Sequence, residues 1–270
     1  MKMEQLKKDI DERRKLTEDL VELENAALGG GDELMGWKYY DSRLEKFDDR
    51  FGEVLPNGFT SISGYVEEFY LDKKGDMVGM ELGGPGIKLF HELSPDYFKK
   101  TVGVTLVIPE KSNTVSENHT ILKADVFHKA YDNDLGLPGF QEVENFTREN
   151  GKVDILIENM IGGNVGDNPD LFMMYLLRWY KLLNEEATMF ISSQPMSLRN
   201  RILCHSKINL FLGRLKESID FQFESHIDMD YFLPTAQTLR LRKLKGAPDN
   251  LDMLARDYVK QVNSDELGGE

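Results

Sequence analysis

The stretch Met77-Val-Gly-Met-Glu-Leu-Gly-Gly-Pro-Gly-Ile-Lys-Leu-Phe90 decides the reading of this chain. An apolar run, Met77–Leu82, carries an acid near its end, Glu81, and runs into a turn with glycine at 83, 84 and 86. The chain then enters an apparent helix. Only a backbone without Cβ bends so tightly and lets a ligand lie against it. In an open parallel sheet such a turn faces the crevice where ligands bind. Two common phosphate-binding patterns do not fit. A dinucleotide fingerprint counted from Gly83 wants glycine at its third and sixth positions, which here are Pro85 and Lys88. A P-loop wants glycine before its lysine and a hydroxyl residue after it, and Lys88 has neither. What remains is acid-x-Gly-Gly-Pro-Gly.

Outward from this turn, short apolar runs alternate with longer amphipathic stretches. The runs are Met77–Leu82, Val102–Ile108, Thr120–Val126, Val153–Ile157 and Ala187–Ser192, several of them continuous apolar blocks as in parallel strands covered on both faces. Pro169–Asn184 and Ser197–Ser218 read as helices. Alternation of this kind predicts a doubly wound α/β sheet. Asp220–Ile227 and Thr235–Leu244 read as two more strands joined through Leu233-Pro234, and such short-range neighbours must pair antiparallel. Within the second, Thr238-Leu239-Arg240-Leu241-Arg242 alternates as a strand with one wet face. Upstream, Met1 to about Leu28 reads as an amphipathic helix stopped by Gly29-Gly30-Gly31, and Trp37 to about Phe59 as helical in part. The expected organisation is an N-terminal helical extension over 1–50, a main domain over 51–245 and an acidic tail over 246–270.

The acid-x-Gly-Gly-Pro-Gly turn resembles motif I of the class I S-adenosyl-L-methionine (SAM)-dependent methyltransferases, and the likeness extends over roughly Tyr65 to Leu244 as a succession of elements. The antiparallel closing pair strengthens it, because a dinucleotide-binding fold lacks that feature. The resemblance implies a doubly wound, mostly parallel seven-stranded sheet whose last strand is antiparallel and inserted between the fifth and sixth. It implies SAM as cofactor, with Glu81 and the backbone of Gly83, Gly84 and Gly86 beside its amino-acid end. Asp125 would accept from the adenine amino group, with the Val126 backbone nearby. A carboxylate after the second strand would hold the ribose hydroxyls; Ile108 stands where that acid is expected and Glu110 lies two residues late, so either Glu110 reaches back or the ribose site is missing.

The exit of the fourth strand, Ile157-Glu158-Asn159-Met160, would lie next to the transferring methyl. It lacks the Asn/Asp-Pro-Pro-aromatic signature of amino-directed DNA and protein methyltransferases. Glu158 is read either as a general base toward a substrate hydroxyl or amine, or as a carboxylate that binds loop amides or faces solvent. The implied activity is in-line methyl transfer to a small-molecule or protein acceptor. The alternative is a methyltransferase fold that no longer catalyses and serves as a binding or partner subunit, since fold does not fix function.

Composition narrows the partners. The 270 residues hold 33 Lys and Arg against 47 Asp and Glu, a net charge of −14, which argues against broad phosphate-backbone binding. No apolar run approaches the ~20 residues needed to cross a bilayer, and the start lacks the apolar centre of a secretory signal, so a cytoplasmic protein without membrane attachment is the expectation. Cys204 is the only cysteine, which removes internal disulfides and an all-thiolate zinc site. His226, Asp228 and Asp230 alternate on the sixth strand and read either as a divalent-metal shell or, in the bland case, as its wet face. Arg240, Arg242, Lys243 and Lys245, with Arg199, Arg201, Lys207, Arg214 and Lys216, make the C-terminal third locally basic. A solvated strand face is the preferred reading there over an RNA-facing patch. The N-terminal helix is the natural place for a homodimer contact.

Overall fold

The structure is a computed structural model and describes residues 44–105, 117–124, 138–159, 169–193, 198–218, 221–230, 233–249 and 251. The expected N-terminal helix, Glu110, Asp125, Val126 and most of the acidic tail lie outside the described residues. Seven strands form one sheet: β1 Met77–Leu82, β2 Phe98–Thr105, β3 His119–Lys123, β4 Val153–Glu158, β5 Leu183–Ser193, β6 Phe221–Asp230 and β7 Leu233–Lys243. Their order is β3-β2-β1-β4-β5-β7-β6. The first five pair parallel, while β7 runs antiparallel to both β5 and β6. This is the class I methyltransferase-like sheet that the resemblance implies, with the last strand inserted between the fifth and sixth. The chain steps outward from β1 to β2 and β3, then returns to place β4 on the other side of β1. The topological switch point therefore lies between β1 and β4.

The continuous apolar runs are explained by cover on both faces. Every residue of β1 and of β4 is buried. Val78, Met80, Leu82, Val102 and Val104 pack against α4 (Pro138–Asn150), α5 (Pro169–Tyr180) and α6 (Leu198–Ser218) in one core cluster. Met77, Ile155, Ile157 and Phe190 face a second cluster built from α1 (Leu44–Phe51), α2 (Ile62–Phe69) and α3 (Ile87–Glu92). Helix α1 spans the boundary expected at residue 50 and buries Phe47 and Phe51 in that cluster. Asp48 ties it to α2 by accepting from Ile62 N at 2.7 Å, and Ser61 Oγ caps α2 by accepting from Gly64 N at 3.1 Å. No helix among the described residues is long and apolar enough to cross a membrane.

Three expectations need correction. The helix expected over Pro169–Asn184 stops at Tyr180, because Leu183 already begins β5 and Leu182 O accepts from Val153 N at 2.8 Å. Leu233-Pro234 is not a connection but the start of β7; Pro234 pairs with Met229 at a register shift, where a missing N–H is tolerated. The Arg240 face of β7 is not wet. Arg240 is buried, with Nε donating to Val54 O at 2.7 Å and its guanidinium over the Tyr65 ring, and Lys243 is fully buried. Neither residue offers its charge to an RNA or to solvent.

Candidate active site at the carboxyl edge

Ligands of open α/β sheets bind outside the carboxyl ends of the strands, at the switch point. Here that edge holds a row of buried polar side chains: Thr105 on β2, Glu81 on β1, Glu158 and Asn159 at the end of β4, Ser192 on β5, and Gln237 and Thr238 on β7. Apart from Asp154 near the start of β4, the remaining residues of β1 and β4 are apolar. Asn159 Nδ2 donates to Glu81 Oε1 at 2.7 Å and Asn159 N donates to Leu82 O at 2.7 Å, so the β4 exit is bolted to β1 across the switch point.

The glycine turn is folded down onto the sheet. Gly83 and Gly86 have φ of 91° and 71°, a region that side chains with a Cβ rarely enter. Gly84 is needed for another reason: a Cβ there would collide with the Glu81 carboxylate, which lies against it. Pro85 rests its carbonyl on Gly103 of β2, where a Cβ would meet that backbone group. His119, the first residue of β3, holds the same carbonyl, with Nε2 2.7 Å from Pro85 O and Nδ1 2.7 Å from Thr101 Oγ1. In the neutral tautomer this fits, Nε2–H donates to Pro85 and Nδ1 accepts from the threonine. Burial pulls the His119 pKa down, which keeps that neutral form. The proline in the turn is thus accommodated by Gly103 and strutted by His119.

Glu81 is the electrostatic centre. Only 2% of it is exposed, and burial pushes its carboxyl up to about 8 against the pull of Asn159, the Gly86 N–H and the Arg50 charge. No lysine or arginine forms an ion pair with it among the described residues. Glu158 is differently held: its Oε2 accepts from Ser192 N at 3.0 Å and from Ser192 Oγ at 2.8 Å. It spans from β4 to β5 and is fully buried. Around the turn, two buried polar atoms have no hydrogen-bond partner, Thr105 Oγ1 and Arg50 Nη1.

The structure brings together Glu81, Gly83, Gly84, Gly86, Glu158 and Asn159 of the residues expected from sequence. It adds Arg50, Thr105, His119 and Ser192. Arg50 belongs to a helix that no motif places near the turn, and Thr105 and His119 sit on strands whose ends carry no motif. The Gly103 position was the one available signal, since a glycine inside an apolar strand marks a close approach of another backbone.

No family model and no curated protein matches the chain. Solved structures similar to it include an rRNA methylase from Streptococcus thermophilus, 12% identical over 67% of this chain and 95% of that one, with a TM-score of 0.42. Another is the N-methyltransferase NodS from Bradyrhizobium japonicum WM9, 9% identical over 68% of this chain and 94% of that one, with a TM-score of 0.39.

Proposed function

We propose that this chain is a SAM-dependent methyltransferase acting on a small-molecule or protein acceptor. The observation that carries the reading is the buried polar row on the carboxyl edge, with Glu81 and Asn159 joined across the switch point beneath a glycine turn. The residues present fit the amino-acid end of such a cofactor. Gly84 leaves no room for a side chain beside the Glu81 carboxyl, and a buried carboxyl without a cation in contact suits an ammonium or sulfonium. Arg50 Nη1 and Thr105 Oγ1 are buried atoms in want of partners nearby. Glu81 and the backbone of Gly83, Gly84 and Gly86 would hold the methionine part, Asp125 and Val126 the adenine, and Glu110 the ribose.

Bound there, SAM supplies a sulfonium methyl open to in-line attack by an acceptor heteroatom. The contribution of the chain is alignment and exclusion of water. Asn159 fixes the Glu81 carboxyl through its amide, and His119 fixes the turn through the Pro85 carbonyl. Glu158, oriented by Ser192, is the carboxylate proposed to accept the proton of an acceptor hydroxyl or amine.

Calorimetric titration with SAM and S-adenosylhomocysteine tests this, with Gly86→Trp as control, since a side chain there meets His119 at 2.9 Å and an unfavourable φ. Micromolar binding that the control loses is the expected result. No binding at millimolar ligand overturns the enzyme reading and leaves a partner-binding protein. A second signature is specific to Glu81. A cation placed beside a carboxyl that titrates at about 8 expels its proton, so at pH 7 the heat of SAM binding should vary with the ionisation enthalpy of the buffer.

A further inference from the structure

We infer that Arg50 is the anchor for the α-carboxylate of the amino-acid end of the bound ligand; this rests on the cofactor reading above. Arg50 closes α1, with its guanidinium over the Phe47 ring at 5.7 Å and the Phe51 ring at 5.9 Å to the centroids. Aromatic neighbours of this kind hold a planar cation without consuming its N–H donors. Nη1 is buried and has no hydrogen-bond partner, a costly condition for a charged donor and one that a ligand relieves. Glu81 feels the Arg50 charge but accepts its hydrogen bonds from the Asn159 amide and the Gly86 N–H. Arg50 and Glu81 therefore present a donor fork and a carboxyl within electrostatic reach of each other, unjoined.

A ligand that carries both an ammonium and a carboxylate on one carbon matches that pair. Its ammonium goes to Glu81, and its carboxylate to Arg50, whose guanidinium suits two-point contact with a carboxylate. A nucleoside lacking the amino-acid part matches neither. The chemistry also explains why the two residues do not neutralise each other: each is left for the opposite charge of a zwitterion. Helix α1 thereby becomes part of the binding site as well as cover for the sheet.

The test compares S-adenosylhomocysteine with 5′-methylthioadenosine, which keeps the nucleoside and sulfur but lacks the α-amino acid, on wild type, Arg50→Met and Arg50→Lys. The expected result is a loss of about tenfold to a hundredfold in affinity for S-adenosylhomocysteine in Arg50→Met, the range of a charged hydrogen bond. Arg50→Lys should recover part of it, and 5′-methylthioadenosine should bind all three proteins alike, which also establishes that the variants are folded. The inference is overturned if Arg50→Met binds S-adenosylhomocysteine as wild type does, or if both ligands weaken equally. If wild type binds neither ligand, the cofactor reading fails and takes this inference with it; the two failures are separate outcomes of one titration series.

Discussion

Two buried carboxyls lie at opposite ends of adjacent strands, and their surroundings differ in one respect. Asp154, at the start of β4, is closed on all sides. Its Oδ2 accepts from Val78 N at 2.9 Å, and its Oδ1 accepts from Lys73 Nζ at 3.0 Å and Asn184 Nδ2 at 3.2 Å. Around it the Tyr65 and Tyr70 hydroxyls both meet Thr188 Oγ1 at 2.8 Å, and Tyr70 also donates to Glu186 O at 2.9 Å. Glu81, near the end of β1, has an amide from Asn159 and an N–H from Gly86 but no cation in contact. Both groups are desolvated to a similar degree. Desolvation is repaid from within the protein at the amino edge, and left open at the carboxyl edge. A complete set of partners stabilises a fold; an incomplete one is where a ligand supplies the remainder.

Removing the acid from the closed end should have the largest effect. Asp154→Ala leaves a half-buried lysine, a buried strand amide and an amide side chain without their acceptor, which costs about 3 kcal/mol. Urea unfolding should show that loss, while S-adenosylhomocysteine affinity of the folded protein stays unchanged. A stability change below about 1 kcal/mol would break the claim that this edge is a staple.

The open end is distinguished by its pH dependence. A carboxyl that ionises at 4.5 unfolded and about 8 folded makes the native state hold its proton where the unfolded chain has released it. Stability from this group is complete below pH 4.5 and falls as the pH rises to about 8. Glu81→Gln keeps the shape and removes the titration, so the alkaline decline of wild type, on the order of a few kcal/mol, should flatten in the variant. The buffer dependence of SAM binding at pH 7 should vanish with it. Parallel stability–pH curves for the two proteins would show instead that Glu81 is ionised and paired.

These contrasts also mark what was legible in the residues. Continuous apolar runs at Met77–Leu82 and Val153–Ile157 reported strands covered on both faces, because nothing but burial on both sides tolerates such a run. The β7 alternation was equally clear and misled about its second face. Period two says that two faces differ, not that one is wet; Arg240 alternates with leucines and is buried under α2 and the turn after α1 through a tyrosine ring and the Val54 carbonyl. The same limit applied to the site. Glu81 and the glycines announce themselves in a contiguous motif, whereas His119 reaches the turn from β3 by a long-range hydrogen bond and Arg50 acts on Glu81 from α1. Pro85 looked like a departure from the motif I pattern. It is instead compensated by Gly103 and His119, eighteen and thirty-four residues downstream.

That compensation yields the smallest and most specific test. His119→Leu leaves Thr101 Oγ1 and the Pro85 carbonyl without their shared partner, at about 1–3 kcal/mol for buried groups. Its folded pKa lies below the unfolded 6.5, so wild type loses stability as the pH falls from 6.5 through that lowered value, and the variant should lack this acid limb. The sign is opposite to that of Glu81: one residue costs stability as the pH rises, the other as it falls. The comparison is sharpened by where the damage appears. With the strut gone the turn loses its tie to β3 and keeps only its contacts to β2, and S-adenosylhomocysteine affinity should fall, whereas the hydroxyl network around Asp154 at the other end of the sheet has no contact with it. Hydrogen exchange at Gly83, Gly84 and Gly86 should therefore quicken while Val78 N keeps its protection. Equal acceleration at both ends would mean that His119 supports the sheet as a whole and not the turn.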